Sequence, residues 1–382
     1  MQLLALSAVH FLADMFSNML PSILPVIQEE FALSLSLAVF VLVTLVMTAN
    51  TVQVLTGHLR ADKTSPLFLH IGLILAAGIC LLAALPGSGS FPAMISLAIV
   101  SGIGIAIVHP EGLRGVHALN RIPPAISTAV FMAGGFLGFA SGGIISTVLV
   151  SRSGLPGLYP LVLCPAIGIL MVIFLRVRLA VETKPDSATG LATAKSQPPF
   201  WPIIAMAIPA AISTTILVSL LPTRLNELGF ELTFGGFSAT MFGLGGALGS
   251  FVLAAIAHKK GELLCSTLAL FLVLPFLLAY LTLIDNRAAV WMLFGAGSCA
   301  ISAYVLMITL ARHAAGPTLG LRMGIMVGGT WAVANAIFLA LTPVAEHFGI
   351  RTLLEFVPLG YLLSAAFGLW LILKAQRGLV RN

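Results

Sequence analysis

The chain has 382 residues, of which 59% are hydrophobic and 8% are charged, and its mean hydropathy is +1.08. Soluble domains carry roughly 25% charged residues, so this composition excludes a water-soluble globular protein and predicts a chain whose solvent is lipid. The formal net charge of +6 comes without any long basic run, which argues against nucleic-acid binding. The four cysteines stand singly, without metal-ligand spacing, so we expect neither a metal nor a cofactor.

Twelve apolar segments are long enough to cross a bilayer, since a hydrocarbon core of about 30 Å needs about 20 helical residues. A polar stretch separates the sixth segment from the seventh and indicates a linker. We predict an all-α membrane protein of two six-helix halves around a central cavity, divided into 1–180, a cytoplasmic linker 181–199, and 200–382. The spans fall at approximately 3–27, 33–57, 66–86, 91–113, 123–150, 155–178, 200–224, 232–257, 262–284, 288–311, 320–345 and 350–374.

The basic residues predict how these spans are oriented. With an even number of spans, 15 of the 19 lysines and arginines fall on the side of the two termini. The other four are Arg152, Arg224, Arg287 and Arg351. Because cytoplasmic loops are enriched in Lys and Arg, we predict that both termini are cytoplasmic.

The first predicted helix contains HFLADMFSN at 10–18, where His10, Asp14 and Asn18 share one face. A carboxylate near the bilayer centre costs about 2.5–3.5 kcal/mol on insertion scales, and such residues usually have a function. A histidine beside it changes charge readily near neutral pH. We interpret Asp14 and His10 as a proton site, with Asn18 in the substrate cavity. A purely structural hydrogen bond is the alternative.

The fourth predicted helix ends with HPEGLR at 109–114. At a rise of 1.5 Å per residue, His109 and Glu111 lie at a depth similar to His10, with Asp14 one turn nearer the centre. We predict that these four residues form one proton-coupling cluster and that Arg114 reaches the inner cavity. In the alternative interpretation, Glu111 and Arg114 form an interfacial ion pair and His109 is a packed core residue.

Two glycine-containing stretches suggest gating elements. The fifth predicted helix carries GGFLGFASGG at 134–143, and small residues at this spacing let helix backbones pack closely. Gly134, Gly135 and Gly138 are therefore predicted to act in gating or close packing. The loop GHLRADKTSP at 57–66 supplies Gly57, for close helix approach, and Asp62, for capping or ion pairing with the other half.

The second half repeats parts of the first. SILP at 22–25 matches SLLP at 219–222, and MAGG at 132–135 matches MVGG at 326–329, at offsets of about 197 and 194 residues. Duplicated halves with a site between them are typical of transporters. No acid in the second half corresponds to Asp14, so we predict that Thr214, Tyr304, Trp331 and Asn335 line a substrate wall there.

HFLADMFSNMLPSILPVIQEEF, IGIAIVHPEGLR and FMAGGFLG, in this order, resemble the fosmidomycin-resistance branch of the major facilitator superfamily. The loop at 57–66 resembles the loop signature of that superfamily, although its spacing is one residue longer. The resemblance implies the major facilitator fold, in a multi-pass protein of a bacterial inner membrane. It also implies proton-coupled efflux of a small organic molecule or drug by alternating access. We expect the protein to act as a monomer.

Two other functions are alternatives to antiport. A proton-coupled or facilitative importer of a small solute or anion would use the same fold, although no Lys or Arg is convincingly central. A membrane enzyme would need a catalytic motif such as HExxH, and HPEG at 109–112 lacks the second histidine. We therefore expect a transporter with protons and a small molecule as partners, and no enzyme.

Overall fold

The computed structural model describes residues 1–59, 63–87, 89–119, 121–122, 124–181 and 198–380. Within these ranges, twelve helices are long and apolar enough to cross a membrane, and each overlaps one predicted span. The prediction of an all-α membrane fold is confirmed. The helices are α1 (Gln2–Phe31), α2 (Leu35–Gln53), α3 (Leu67–Ala84), α4 (Phe91–His117), α5 (Ile126–Ser153), α6 (Leu155–Phe174), α7 (Phe200–Glu227), α8 (Leu232–Lys260), α9 (Glu262–Thr282), α10 (Arg287–Arg312), α11 (Leu321–Phe348) and α12 (Ile350–Gln376).

Helices α1 and α11 depart from regular α-helical geometry. In α1 the α-helix Gln2–Ser17 is followed by a 3₁₀ turn at Leu20–Ile23, and the α-helix resumes at Leu24–Phe31. Prolines at the start of the second and third segments explain the interruption, because proline lacks the N–H that would continue the bonding ladder. In α11 a π-helical turn spans Gly324–Gly329. The corresponding stretch of α5 is regular α-helix.

The same packing pattern occurs in both halves. In the N-terminal half α1 packs on α5, and both α2 and α3 pack on α4. In the C-terminal half α7 packs on α11, and both α8 and α9 pack on α10. The first five helices of the N-terminal half therefore each have a counterpart six helices later, and the repeat predicted from short sequence matches is present in the packing.

Two pairs of helices join the halves, and the repeat relates one pair to the other, because α5 corresponds to α11 and α8 to α2. Helix α5 packs on α8 and α2 packs on α11, while the 3₁₀ turn of α1 lies against α7. The α5–α8 contact is between small residues. A Cβ on Gly143 would lie 3.1 Å from the Gly236 carbonyl oxygen, and one on Gly243 would lie 2.9 Å from Ala140 Cα. Absent side chains thus let backbones of different halves approach closely.

Two parts of the prediction lie outside the described residues, and a third lies close to the end of a described segment. Asp62 and most of the predicted linker, at 182–197, lie outside them. Gly57 lies in the helix that continues α2 to Leu59. The gating roles of Gly57 and Asp62 remain predictions.

Candidate functional site

The site begins on α1, where His10 and Asp14 lie one helical turn apart. His10 Nε2 is 3.2 Å from Asp14 Oδ2. The His10 side chain is 3% exposed, whereas that of Asp14 is 19% exposed. The i, i+4 spacing places both groups on one face, as the sequence predicted. The carboxylate is therefore held against a buried imidazole while part of it remains accessible.

His109 of α4 approaches the same carboxylate from a second helix. Its Nε2 is 2.9 Å from Asp14 Oδ1, and its side chain is 22% exposed. The two imidazole rings are nearly perpendicular, with 5.0 Å between their centroids. Asp14 therefore lies between two histidines, and the three side chains, here called the His–Asp–His triad, join α1 to α4.

Backbone carbonyls hold the second nitrogen of each imidazole. His10 Nδ1 is 2.9 Å from the Phe131 oxygen of α5, and the Phe131 ring stacks on His10 with 4.2 Å between centroids. His109 Nδ1 is 2.9 Å from the Ile105 oxygen, one turn earlier on α4. A carbonyl can only accept, so both Nδ1 atoms donate. These bonds aim both Nε2 atoms at Asp14.

Glycines of α5 let this helix pack directly on the backbone of α1. A Cβ on any of three glycines spaced four residues apart would overlap backbone atoms of α1. Side chains on this face would force the helices apart, so the glycine pattern explains the close contact. The pairs are Gly134 with Ser7, Gly138 with Phe11, and Gly142 with Met15.

Gly135 provides the space that the triad occupies. A Cβ at this position would lie 2.5 Å from His10 Nε2 and 2.6 Å from Asp14 Oδ2. No side-chain carbon fits at such distances without displacing the polar groups. The glycines predicted to act in gating thus include one that borders the charged site.

The triad also has the donor set of a metal site. The two Nε2 atoms and a carboxylate oxygen lie within 4.8 Å of one another. Among the described residues, this is the one group of three His, Cys, Asp or Glu side chains that could hold a metal ion. Imidazole and carboxylate suit a divalent transition metal. Hydrogen bonds account for the same contacts.

Glu111 and Arg114 form a separate pair beyond the triad. Arg114 Nη1 donates to Glu111 Oε1 at 2.7 Å, and both side chains are 3% exposed. Arg114 Nε and Nη2 also donate to the Ala180 oxygen, at 3.1 and 2.9 Å, and Nη2 donates to the Lys63 oxygen. Of the four residues predicted to form one cluster, His10, Asp14 and His109 are in direct contact, and Glu111 pairs with Arg114. A part for Glu111 in proton coupling stays a prediction.

The Arg114 guanidinium is a structural clamp, because it ties α4 to the segments that follow α2 and α6. Arg114→Ala should destabilise the fold by about 3–5 kcal/mol, since it removes one member of a buried ion pair and leaves the Glu111 charge uncompensated by Arg114. The measurement is the amount of monodisperse protein recovered in detergent, with its thermal unfolding midpoint. Arg114→Ala combined with Glu111→Gln should recover part of the loss. An unchanged midpoint in the single variant would contradict this assignment.

The residues predicted to contact substrate are engaged with neighbouring groups. Asn18 Nδ2 donates to the Phe139 oxygen at 2.8 Å and so links α1 to α5. Thr214 Oγ1 is 2.8 Å from Tyr361 Oη, which links α7 to α12. Asn335 Nδ2 donates to the Trp331 oxygen at 2.9 Å. Contact between these side chains and a substrate stays a prediction.

Tyr304 and Trp331 form an aromatic pair beside the π-helical turn of α11. Their ring centroids are 5.0 Å apart, with planes inclined at 60°. Tyr304 Oη donates to the Met326 oxygen at 2.6 Å. Since π-helical turns are frequent at functional sites, this pair is the strongest candidate for substrate contact in the C-terminal half.

Ion pairs at the end of the bundle away from the termini lie within the C-terminal half. Arg224 Nη1 is 3.0 Å from Glu227 Oε2, and Arg287 donates two bonds to Glu231, at 2.8 and 2.6 Å. The Arg287 guanidinium beside Glu231 lowers the pKa of that carboxyl below its ordinary value. The first pair lies within α7, and the second joins the residue before α8 to the first residue of α10, so neither pair bridges the two halves.

A contact that sequence reasoning missed joins the halves at that same end. Ser36 Oγ, at the start of α2, donates to Glu346 Oε2, near the end of α11. The Glu346 carboxylate also interacts with the N-terminus of the α2 helix, at Leu35 and Ser36. Helix N-termini favour negative charge, so this contact holds α2 of one half to α11 of the other at that end.

Glu346→Gln should shift the protein toward a state open at this end by about two- to fivefold, the usual size of a charge–helix interaction. The measurement is the labelling rate of a cysteine introduced near Ser36, with a membrane-impermeant reagent. Glu355→Gln is the matched control, because Glu355 pairs with Arg351 on its own helix, at 2.6 Å. Equal labelling in both variants would contradict a role of the Ser36–Glu346 contact in holding this end together.

The fold and the repeated halves define a membrane transporter, and comparison with known proteins gives its family. Residues 6–337 match the Major Facilitator Superfamily, and the chain belongs to that family. The resemblance inferred from the sequence motifs is confirmed at this level.

Two curated relatives match part of the chain. It is 27% identical over 151 residues to the fosmidomycin resistance protein of Escherichia coli (strain K12), covering 39% of this chain and 36% of that protein. It is 24% identical over 174 residues to the uncharacterized MFS-type transporter YfnC of Bacillus subtilis (strain 168), covering 45% and 42%. The matched segments span less than half the length of these relatives.

Solved structures of the same fold match nearly the whole chain. A bacterial homologue of the human lysosomal transporter Spinster, inward-facing and unoccupied, has a TM-score of 0.68 at 15% identity, covering 97% of this chain and 96% of that one. A mutant of the nucleoside transporter NupG has a TM-score of 0.75 at 14% identity, covering 97% and 100%. At these identities the similarity shows the fold alone.

Proposed function

We propose that this protein exports a small organic molecule in exchange for protons by alternating access. The observation that carries the proposal is the His–Asp–His triad, in which a partly exposed carboxylate is bonded by two imidazoles from two helices. Ionisable groups at membrane depth are costly and usually functional. The relative named as a fosmidomycin resistance protein supports efflux as the direction.

The contacts between the halves support alternating access. Ser36 and Glu346 close the bundle at the end away from the termini, and the small-residue crossing of α5 and α8 gives the halves a surface to rock on. The triad lies within the N-terminal half, on α1 and α4, and the aromatic pair Tyr304–Trp331 lies in the C-terminal half. A proton site in one half and a substrate surface in the other would be coupled when the halves move.

The membrane arrangement follows from the charge distribution. We propose domain bounds of 1–180 and 200–382, with a linker between them and both termini in the cytoplasm. The 15-to-4 distribution of basic residues supports this orientation. The proposed location is a bacterial inner membrane, and the proposed functional unit is a monomer.

Everted membrane vesicles test the direction of transport. Vesicles from expressing cells, acidified inside, should accumulate substrate from a panel of fluorescent and radiolabelled drugs, and should release it when a protonophore collapses the gradient. Cells expressing the protein should tolerate the same compound. Accumulation in right-side-out vesicles acidified outside would instead identify the importer, and accumulation that ignores the protonophore would exclude proton coupling.

A further inference from the structure

The orientation of the two imidazoles determines which nitrogen of each ring carries a hydrogen. Each Nδ1 faces a backbone carbonyl, of Phe131 or Ile105, at 2.9 Å. A carbonyl oxygen has no hydrogen to give, so both Nδ1 atoms must carry one. An imidazole with hydrogen on Nδ1 carries a second hydrogen on Nε2 only when it is the charged imidazolium. The neutral rings would therefore point bare Nε2 lone pairs at Asp14.

The two contacts with Asp14 give the number of protons that the triad holds. Nε2 of His10 and of His109 lie 3.2 and 2.9 Å from two different oxygens of the carboxylate. A lone pair facing an ionised carboxylate oxygen at such a distance repels it, so each contact needs one hydrogen between nitrogen and oxygen. Two imidazoliums with a carboxylate, or one imidazolium with a carboxylic acid and a neutral imidazole, both amount to two.

Resting on the proposed function, we propose that the His–Asp–His triad binds two protons and releases both in each transport cycle. The loaded triad has a net charge of +1 and the emptied triad −1. Among the described residues, the titratable or charged side chains that interact with Asp14 are His10 of α1 and His109 of α4, while α5 contributes Gly135. Further along α4, Glu111 and Arg114 neutralise each other.

Separation of α1 from α4 provides the step that releases the second proton after the first. With one hydrogen left, one nitrogen–oxygen contact becomes repulsive, and the carbonyl bonds prevent that imidazole from turning its other nitrogen toward Asp14. The contact relaxes when α1 and α4 separate, which also breaks the remaining bond. Because the three groups interact, their apparent pKa values belong to the triad as a whole rather than to one residue.

A cycle that moves two protons can maintain a steeper substrate gradient than a cycle that moves one. One pH unit is equivalent to a tenfold ratio for each proton moved. A pH gradient of one unit would therefore support a substrate gradient of about 100-fold, where a one-proton cycle would support about tenfold. Export of a neutral molecule would also move net charge and respond to membrane potential.

Nitrogen-15 NMR of the full-length, histidine-labelled protein in lipid bilayers tests the proton count. His10→Gln and His109→Gln difference spectra assign the two rings, and the six other histidines serve as internal references. At low pH we expect both Nδ1 atoms protonated and two protons shared between Nε2 and Asp14. At high pH both rings should become neutral with hydrogen on Nδ1 alone, so that two protons have left the triad.

Several outcomes would overturn the two-proton site. A neutral ring with hydrogen on Nε2, or loss of a single proton, would do so while leaving proton-coupled export intact. Bare Nε2 atoms at low pH that gain protons when a chelator is added would assign the triad to a divalent cation. Ser17→Ala is the matched control, since its hydroxyl bonds the Asp14 backbone oxygen and should leave the spectra unchanged.

Discussion

Asp14→Asn should abolish substrate accumulation driven by a pH gradient, because an amide cannot bind and release a proton at this position. The variant would lose the roughly tenfold accumulation per pH unit that each coupled proton supports. It should still fold, since asparagine has the same shape and its amide can donate to a neutral imidazole Nε2. The measurement is accumulation in everted vesicles at a fixed pH gradient.

Exchange of labelled for unlabelled substrate separates coupling from folding. Asp14→Asn should retain this exchange, because exchange needs binding and conformational change but no net proton movement. Ser17→Ala, three residues away on α1, should behave like the parent in both assays. Undiminished pH-driven accumulation by Asp14→Asn would show that Asp14 only holds α1 to α4.

Gly135→Ala should lower both stability and transport, since the added methyl group overlaps the positions of His10 Nε2 and Asp14 Oδ2. Overpacking a filled interior costs about 1–3 kcal/mol. Relaxation here requires either moving the triad or separating α5 from α1. We therefore expect a lower thermal unfolding midpoint and transport close to that of a non-expressing control.

The internal repeat supplies a matched control for this substitution. Gly329 occupies the position of MVGG that Gly135 occupies in MAGG. A Cβ on Gly329 would meet Ile325 side-chain atoms at 3.6 Å and 3.8 Å, an ordinary contact distance. Gly329→Ala should retain most of its stability and transport. Equal loss in both variants would mean that helix flexibility, rather than space for the triad, requires the glycines.

The spans, the repeat and much of the triad could be predicted from the sequence because they depend on local spacing and depth. The i, i+4 spacing of His10 and Asp14 placed them on one face, and counting residues along two helices placed His109 at nearly the same depth. Hydropathy alone determined the twelve spans. These arguments need only the rise of a helix and the thickness of a bilayer.

Other features depend on contacts that no residue pattern encodes. The carbonyls of Phe131 and Ile105 orient the imidazoles, yet every residue has a carbonyl. The bonds from Arg114 to Ala180 and Lys63 join segments far apart in sequence, so depth alone could not show that Arg114 pairs with Glu111. Ser36 and Glu346 lie in different halves, 310 residues apart. By contrast, Pro21 and Pro25 were visible signals of the interruption in α1.

The π-helical turn Gly324–Gly329 has a consequence for how this chain can evolve. A π-helical turn holds an extra residue, because its N–H groups bond five residues back instead of four. Deleting one residue there would restore α-helix and leave both flanks facing their present neighbours, whereas elsewhere a deletion rotates every later residue by about 100°. The eleventh helix can thus change length beside Tyr304 and Trp331, so lineages can reshape this surface without refolding the bundle.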